Sequence, residues 1–223
     1  MKNTTTFIRQ LGLIPSSETG GYGRLYNWYA ANDVEFALTN WRVPTNTDFT
    51  NLITYLGGIT LAGGHLKDTG FTHWDSPNTG ADNSSNFTAY GSGVRSSGIL
   101  GKCEFFKQYG SMWSSTQYNS ADGYYLNLLY NSKIAFTGHV SKSLGYSIRL
   151  IYIGGDTPSS TITDYDGNVY DVIQIGTQYW TKQNWKCTHL RNGIEITEVT
   201  DQLIWNGLTS GAWCYYDNDP TNL

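Results

Sequence analysis

Four histidines, three cysteines and two short runs of acidic and amide side chains carry the catalytic or ligating chemistry of this chain. His73 and Asp75 stand two apart in THWD, a spacing that imitates the base and orienter of a hydrolytic site. No strand-to-helix nucleophile elbow accompanies them, so a hydrogen-bonded loop histidine is the expected role. His65, His139 and His189 form no His-x-x-x-His pair and no Glu-rich helix is present, which leaves zinc without a ligand set. Cys103, Cys187 and Cys214 lack CxxC spacing. Their odd number favours buried free thiols, with a Cys187–Cys214 disulfide left open. Asp164, Asp166 and Asn168 alternate as oxygen donors, and Asp217, Asn218 and Asp219 make a second cluster. The first lacks the downstream bidentate Glu of a helix-loop-helix calcium site, and Asp-Gly-Asn is itself a hairpin turn. Turn chemistry is therefore expected and no cofactor is assigned, with calcium left open at the second cluster.

A different chemistry runs through residues 113–151, WSSTQYNSADGYYLNLLYNSKIAFTGHVSKSLGYSIRLI. Tyr supplies large, stiff contact area at low entropic cost, and Asn and Ser supply adaptable hydrogen bonds, a mixture that suits recognition of another molecule. Trp113 to Thr116 and Tyr146 to Ile151 read as framework, so the residues between them are the candidate contacts.

Composition restricts what could hold such a surface. Charged residues are 14% and aromatics 15% of 223, with 8 Trp, 17 Tyr and 25 Gly. That is far from a disordered chain and poor for a helical bundle. A net charge of -4 and a pI near 5.5 give no basic footprint for a phosphate backbone, so no nucleic-acid partner is expected. No apolar run reaches membrane-spanning length. The start, MKNTTTFIRQLGLIPSSE, is broken by Arg9, Gln10 and Pro15 and does not read as a signal peptide.

The elements follow from periodicity. Residues 1–21 read as an arm with a short helix around Thr6 to Leu13, a segment suited to contacting a second copy. Leu25, Trp28 and Tyr29 in Tyr22 to Ala31 are at helical spacing. Phe49, Leu52, Ile53 and Leu56 recur at i, i+3, i+4 and i+7 behind Thr45 and Asp48, a capped helix stopped by Gly57-Gly58. Residues 59–112 fragment into Gly, Asn, Ser and isolated aromatics, which predicts a loop-rich excursion with little regular structure. Strands are predicted over Tyr124 to Leu128, Ile134 to Phe136 and Tyr146 to Ile153. After the connector GGDTPSS (154–160), Asp164 to Asn168 forms a turn before Val169 to Ile175, and Gln178 to Trp185 continues the meander.

The segment TDYDGNVYDVIQIGTQYWTKQNWKCTHLRNGIEI resembles the opening of the Fibrobacter succinogenes major paralogous domain, a Bacteroidetes-associated module with a C-type-lectin-like fold. Asp164, Gly167, Asn168, Tyr170, Ile175, Gly176, Gln178, Trp180 and Asn184 carry that match. YGRLYNWYAA, WRVPT, HLKDTGFTHW, NSSNFTAYGSGVR, MWSST and GYSIRL follow the same family's order. The two blocks are reversed relative to the family, whose DGNVY hairpin and WCYYDND segment precede the YGRLYNWYA segment. Circular permutation and completion by chain exchange between copies both account for this. The resemblance implies an α+β, C-type-lectin-like fold of two helices with antiparallel sheets and long loops. The arm 1–21 would precede the main part of the domain, 22–153. The connector 154–160 and the remainder of the same domain, 161–223, follow.

The Trp-Ser-Ser-Thr opening and GYSIRLI close also look like the variable region of retroelement-diversified lectin-fold receptors. That resemblance implies ligand contacts at Gln117, Tyr118, Asn119, Asp122, Tyr124, Asn127, Tyr130, Asn131, Lys133 and His139. The alternative is that these side chains decorate a solvated sheet. WRVPT further resembles sulfatase-modifying enzymes, but the three cysteines match none of the positions that chemistry needs. Trp74, Tyr90, Tyr118 and Tyr124 are available for stacking on a sugar, although such Trp residues usually anchor cores or loops. The expectation is a non-enzymatic recognition or adhesion module, homo-oligomeric, at a virion surface or outside the cell, binding a host or cell-surface protein or glycan without membrane insertion. The alternative function is a structural virion decoration or assembly subunit.

Overall fold

The computed structural model of the chain describes residues 21–97 and 103–223. In chain order it holds β1 (Leu25–Tyr26), α1 (Trp28–Ala31), β2 (Trp41–Arg42), α2 (Asn46–Tyr55) and α3 (Ile59–Leu66). Next come β3 (Ser92–Arg95), β4 (Cys103–Phe106), β5 (Tyr109–Gln117), β6 (Asp122–Leu129), β7 (Ala135–Ser141) and β8 (Ile151–Tyr152). The last third adds β9 (Thr161–Thr163), β10 (Val169–Ile175), β11 (Gln178–Thr181), β12 (Thr197–Glu198), α4 (Gln202–Asn206) and β13 (Ala212–Cys214). The class is α+β with strands dominant. The strands form three sheets, ordered β1-β13-β12, β2-β8-β11-β10-β9 and β4-β3-β5-β6-β7.

Two of these sheets join the front of the chain to its end. β13 pairs antiparallel with β1, Leu25 opposite Cys214, and β11 pairs with β8, Trp180 opposite Ile151. Residues 161–223 therefore pack against residues 22–153 of the same chain. Four buried tryptophans from the later block, Trp180, Trp185, Trp205 and Trp213, sit in cores lined by the earlier one. Buried cations tie the same seam. The guanidinium of Arg149 donates to the carbonyls of Phe87 and Thr88, to that of Thr181 and to the side-chain oxygen of Asn184, at 2.7–3.2 Å. That of Arg95 donates to the carbonyls of Val199 and Thr200 and to Gln202, while lying 4.2 Å from the Trp205 ring centre.

Helix α2 forms where the sequence places it, because Thr45 and Asp48 close a capping box. Arg42 adds a bidentate pair to the Asp48 carboxylate at 2.5 and 3.0 Å. Burial pushes the Asp48 carboxyl up, but the Arg42 guanidinium and the Thr45 hydroxyl and amide outweigh it and hold its pKa below the usual carboxylate value. A lowered folded pKa means the stabilisation is present above about pH 4 and is lost as pH falls below it. Asp48→Asn is accordingly expected to cost about 1–2 kcal/mol at neutral pH. Urea titrations at pH 7 and pH 2.5 check this, with the difference between the two proteins shrinking at the lower pH.

Three expectations need correction. Tyr22 to Ala31 is not one helix: the Tyr26 amide donates to Tyr146, Leu25 and Tyr26 pair with β13, and only α1 is helical, capped by the Asn27 side chain. Residues 59–112 are more regular than predicted, with α3, β3, β4 and the start of β5. The Gly63-Gly64 pair that weakens a local helix reading is what lets α3 approach its neighbours: a Cβ at Gly63 would stand 2.4 Å from the Ile134 carbonyl oxygen. Among the described residues the helices number four rather than two. The predicted helix around Thr6 to Leu13 lies outside the described residues.

Candidate functional site

Alternation along the β5-β6-β7 meander sorts the candidate residues onto two faces. Met112, Leu126, Leu128 and Ala135 pack under α2 and α3, while Trp113, Tyr125 and Val140 join the opposite core with Trp28 and Tyr146. Tyr124 shares the side of Leu126, and its register partner on β7 is His139. Helix α2 begins beside this meander, where the Asn46 amide donates to the Thr116 hydroxyl at 3.0 Å. Beyond that point the strand ends are exposed, and there the aromatic rings gather.

Tyr118 stacks on His139 with ring centres 3.6 Å apart and planes 9° from parallel. Tyr124 stands edge-on to both rings, at 5.4 and 6.3 Å. Asp122 meets the Nδ1 of His139 at 3.0 Å, which fixes the imidazole plane. The Asn119 side-chain oxygen accepts from the amides of Ala121 and Asp122 and thereby builds the turn that carries Tyr118. Gln117 accepts from Lys142, whose ammonium also donates to the Ser120 carbonyl and lies 4.4 Å from the Trp28 ring centre. Tyr118 is about half exposed, at 49%. The result is a rigid, exposed aromatic platform edged by one carboxylate, with hydrogen-bonding groups at its rim. It is built for stacking and polar contact.

Five of the ten predicted residues thus converge: Tyr118, Asn119, Asp122, Tyr124 and His139. Gln117 does not, because it pairs with Gly123 on the face that carries Trp28. Asn127 does not, because it faces the other side of the sheet and accepts from the Ser111 hydroxyl at 3.0 Å. Tyr130, Asn131 and Lys133 lie at the far turn of the β6-β7 hairpin. That turn is pinned from inside: the buried ammonium of Lys67 donates to the carbonyls of Leu129, Ser132 and Thr79 at 2.8–3.1 Å. The Tyr130 ring packs on the core under α2. Sequence reasoning missed Lys142, which positions Gln117 and the 118–121 turn. A lysine directly after an exposed strand carries no signal for that task.

The hydrolytic constellation is not assembled. His73 is paired with Asp68, Nδ1 to carboxylate at 2.6 Å, and stacked on Tyr90, whereas Asp75 accepts from Gln108. At His65 the Ser84 hydroxyl and the Asp82 carboxylate reach the same ring nitrogen, Nδ1. A base needs its orienter on one nitrogen and its nucleophile on the other. Among the described residues every histidine ring hydrogen bond runs through Nδ1, the His189–Asp166 pair included.

The carboxylates of Asp164, Asp166 and Asp219 are engaged with protein donors. Asp164 accepts from the amide and side chain of Asn168 and from the Tyr170 hydroxyl. Asp166 accepts from Thr188, and the thiol of Cys187 donates to the His189 carbonyl, although the donor atoms of Asp164, Asp166 and Cys187 lie within 4.8 Å of one another. In the second cluster, Asp219 caps Thr221 and Asn218 donates to the Thr200 carbonyl. Cys187 and Cys214 do not sit together: Cys187 belongs to the main core, and the neighbour of Cys214 is Cys103. All three cysteines are free. No described helix is long and apolar enough to cross a membrane.

The family described as the Fibrobacter succinogenes major domain has a model that matches residues 13–152. The match ends with β8, just before the 154–160 connector, and leaves the later block outside it. No curated protein and no solved structure matches the chain.

Proposed function

Because the chain belongs to the Fibrobacter succinogenes major domain family, we propose that it is a non-catalytic recognition or adhesion module displayed at a virion or cell surface. The observation that carries this reading is the exposed stack of Tyr118 on His139 with Tyr124 edge-on, held rigid by the β5-β6-β7 meander. Aromatic rings held in place before contact lose little entropy on binding, and buried Tyr contacts dominate many interfaces. The ligand class is a cell-surface protein or glycan that offers an apolar or ring face to Tyr118 and polar groups to Asp122.

The fold is read in the same proposal as a circularly permuted C-type-lectin-like domain. The pairing of β1 with β13 and of β8 with β11 supports it, since each joins the two blocks within one chain. Copies would associate through the arm, residues 1–21. Removing that arm should lower the mass measured by light scattering while leaving binding by each copy intact.

The surface itself is tested by alanine substitution. Tyr118→Ala and Tyr124→Ala are each expected to weaken attachment of the labelled protein to a panel of bacterial and animal cells by about tenfold or more, the weight of an interface anchor. Asn131→Ala, at the other end of the hairpin, serves as the control and should leave attachment within about twofold. Equal loss at Asn131, or no loss at either tyrosine in variants with unchanged circular dichroism, overturns the assignment.

A further inference from the structure

Cys103 and Cys214 lie far apart in the chain, yet the fold packs both into one buried cluster as neighbours. Cys103 is on β4, opposite Arg95 of β3, and is half-buried. Cys214 is fully buried on β13, opposite Leu25 of β1. Both pack into the cluster of Leu25, Val199, Trp205, Ala212 and Tyr216, where the earlier and later blocks meet. Cys187 is in a different core and has no part in this contact.

We propose that Cys103 and Cys214 form a redox clasp, a thiol pair that closes into a disulfide in an oxidising compartment and covalently fastens the 161–223 block to the sheet of β3 and β4. The two thiols differ in the way such a pair requires. The neighbouring Cys214, the Asp217 backbone and Arg95 hold the Cys103 pKa below the ordinary cysteine value despite partial burial. Burial pushes the Cys214 thiol well up and shields it. An accessible, more acidic thiol beside a buried resolving partner is the arrangement of oxidation-sensitive cysteines.

The chemistry balances with a small-molecule disulfide as oxidant. The Cys103 thiolate attacks one sulfur of the oxidant, forming a mixed disulfide and releasing one small thiolate. Cys214 then loses its proton and attacks the Cys103 sulfur, which forms the internal bond and releases the second small thiol. Two protein thiols are oxidised and one small disulfide is reduced to two thiols. This inference stands on the 103–214 contact alone and does not depend on the recognition surface.

The test equilibrates the purified full-length chain with oxidised or reduced glutathione, followed by alkylation, intact mass and a proteolytic peptide map. In oxidised buffer the expected result is one alkylated cysteine, Cys187, and a linked peptide pair containing Cys103 and Cys214. The apparent Tm should rise by roughly 5–10 °C, because the bond closes a long loop. Cys103→Ser should lose both the link and the rise, and Cys187→Ser should keep them. Three alkylated cysteines in oxidised buffer, or a link that involves Cys187 or joins two chains, overturns the proposal. The wild-type map decides the question even if a serine variant fails to fold.

Discussion

Arg149→Met is expected to destabilise the protein by about 3–5 kcal/mol, measured as the urea midpoint at constant m-value. The guanidinium is fully buried and has no carboxylate partner among the described residues. Its charge is met instead by the carbonyls of Phe87, Thr88 and Thr181 and by the Asn184 side chain. Burial draws its pKa down, which is the cost of placing the charge there. Methionine restores much of the volume but leaves these acceptors bare, at about 1–3 kcal/mol each before any water enters to relieve them. Lysine keeps a charge but cannot span the same fork of acceptors, so Arg149→Lys should recover less than half of the loss. A methionine variant within about 1 kcal/mol of wild type would mean that the Arg149 hydrogen bonds contribute little to holding the two blocks together.

The larger effect is expected from removing the later block outright. A chain cut after Ile153 loses Trp180, Trp185, Trp205 and Trp213 from three buried clusters, together with the partners of β1 and β8. Emptying one large aromatic site costs about 3–5 kcal/mol, and four together match or exceed the roughly 5–15 kcal/mol that holds a typical domain folded. The truncated chain should therefore show no cooperative melting and no dispersed amide spectrum. Adding residues 154–223 as a separate chain should restore both. A truncated chain that melts cooperatively on its own would show that residues 22–153 are an independent domain.

Much of the local structure was legible because its causes are local. Thr45 and Asp48 announce the start of α2, and its apolar spacing gives the buried face. Asp164 and Asn168 announce the turn between β9 and β10. Where distant strands decide the conformation, reading fails. Leu25, Trp28 and Tyr29 have helical spacing, yet Tyr26 is drawn into extended backbone by Tyr146 and Trp213, residues no local pattern connects to it. Helix α3 carries two glycines that only the Ile134 and Gly80 backbones explain.

The candidate site divides in the same way. Its tyrosines, Asn119 and His139 came from the resemblance to diversified lectin-fold receptors. The grouping of Asn127 with Tyr124 was an error that strand alternation could have prevented, since residues three apart on a strand face opposite sides. His73 is the hydrogen-bonded loop histidine expected of it, but its partner is Asp68, which the loop folds against it, and not the nearer Asp75. The Cys103–Cys214 contact depends on β13 returning to β1, a long-range pairing that no cysteine spacing encodes.

The recognition surface is tested most directly by photo-crosslinking from single positions in cell-bound protein. A benzophenone amino acid placed at Tyr118 or Tyr124 should capture a cell-surface component, while the same group at Asn127 or Asn131 should not. Capture from Asn127 or Asn131 but not from Tyr118, or no capture from any of the four positions across the cell panel, would contradict the account.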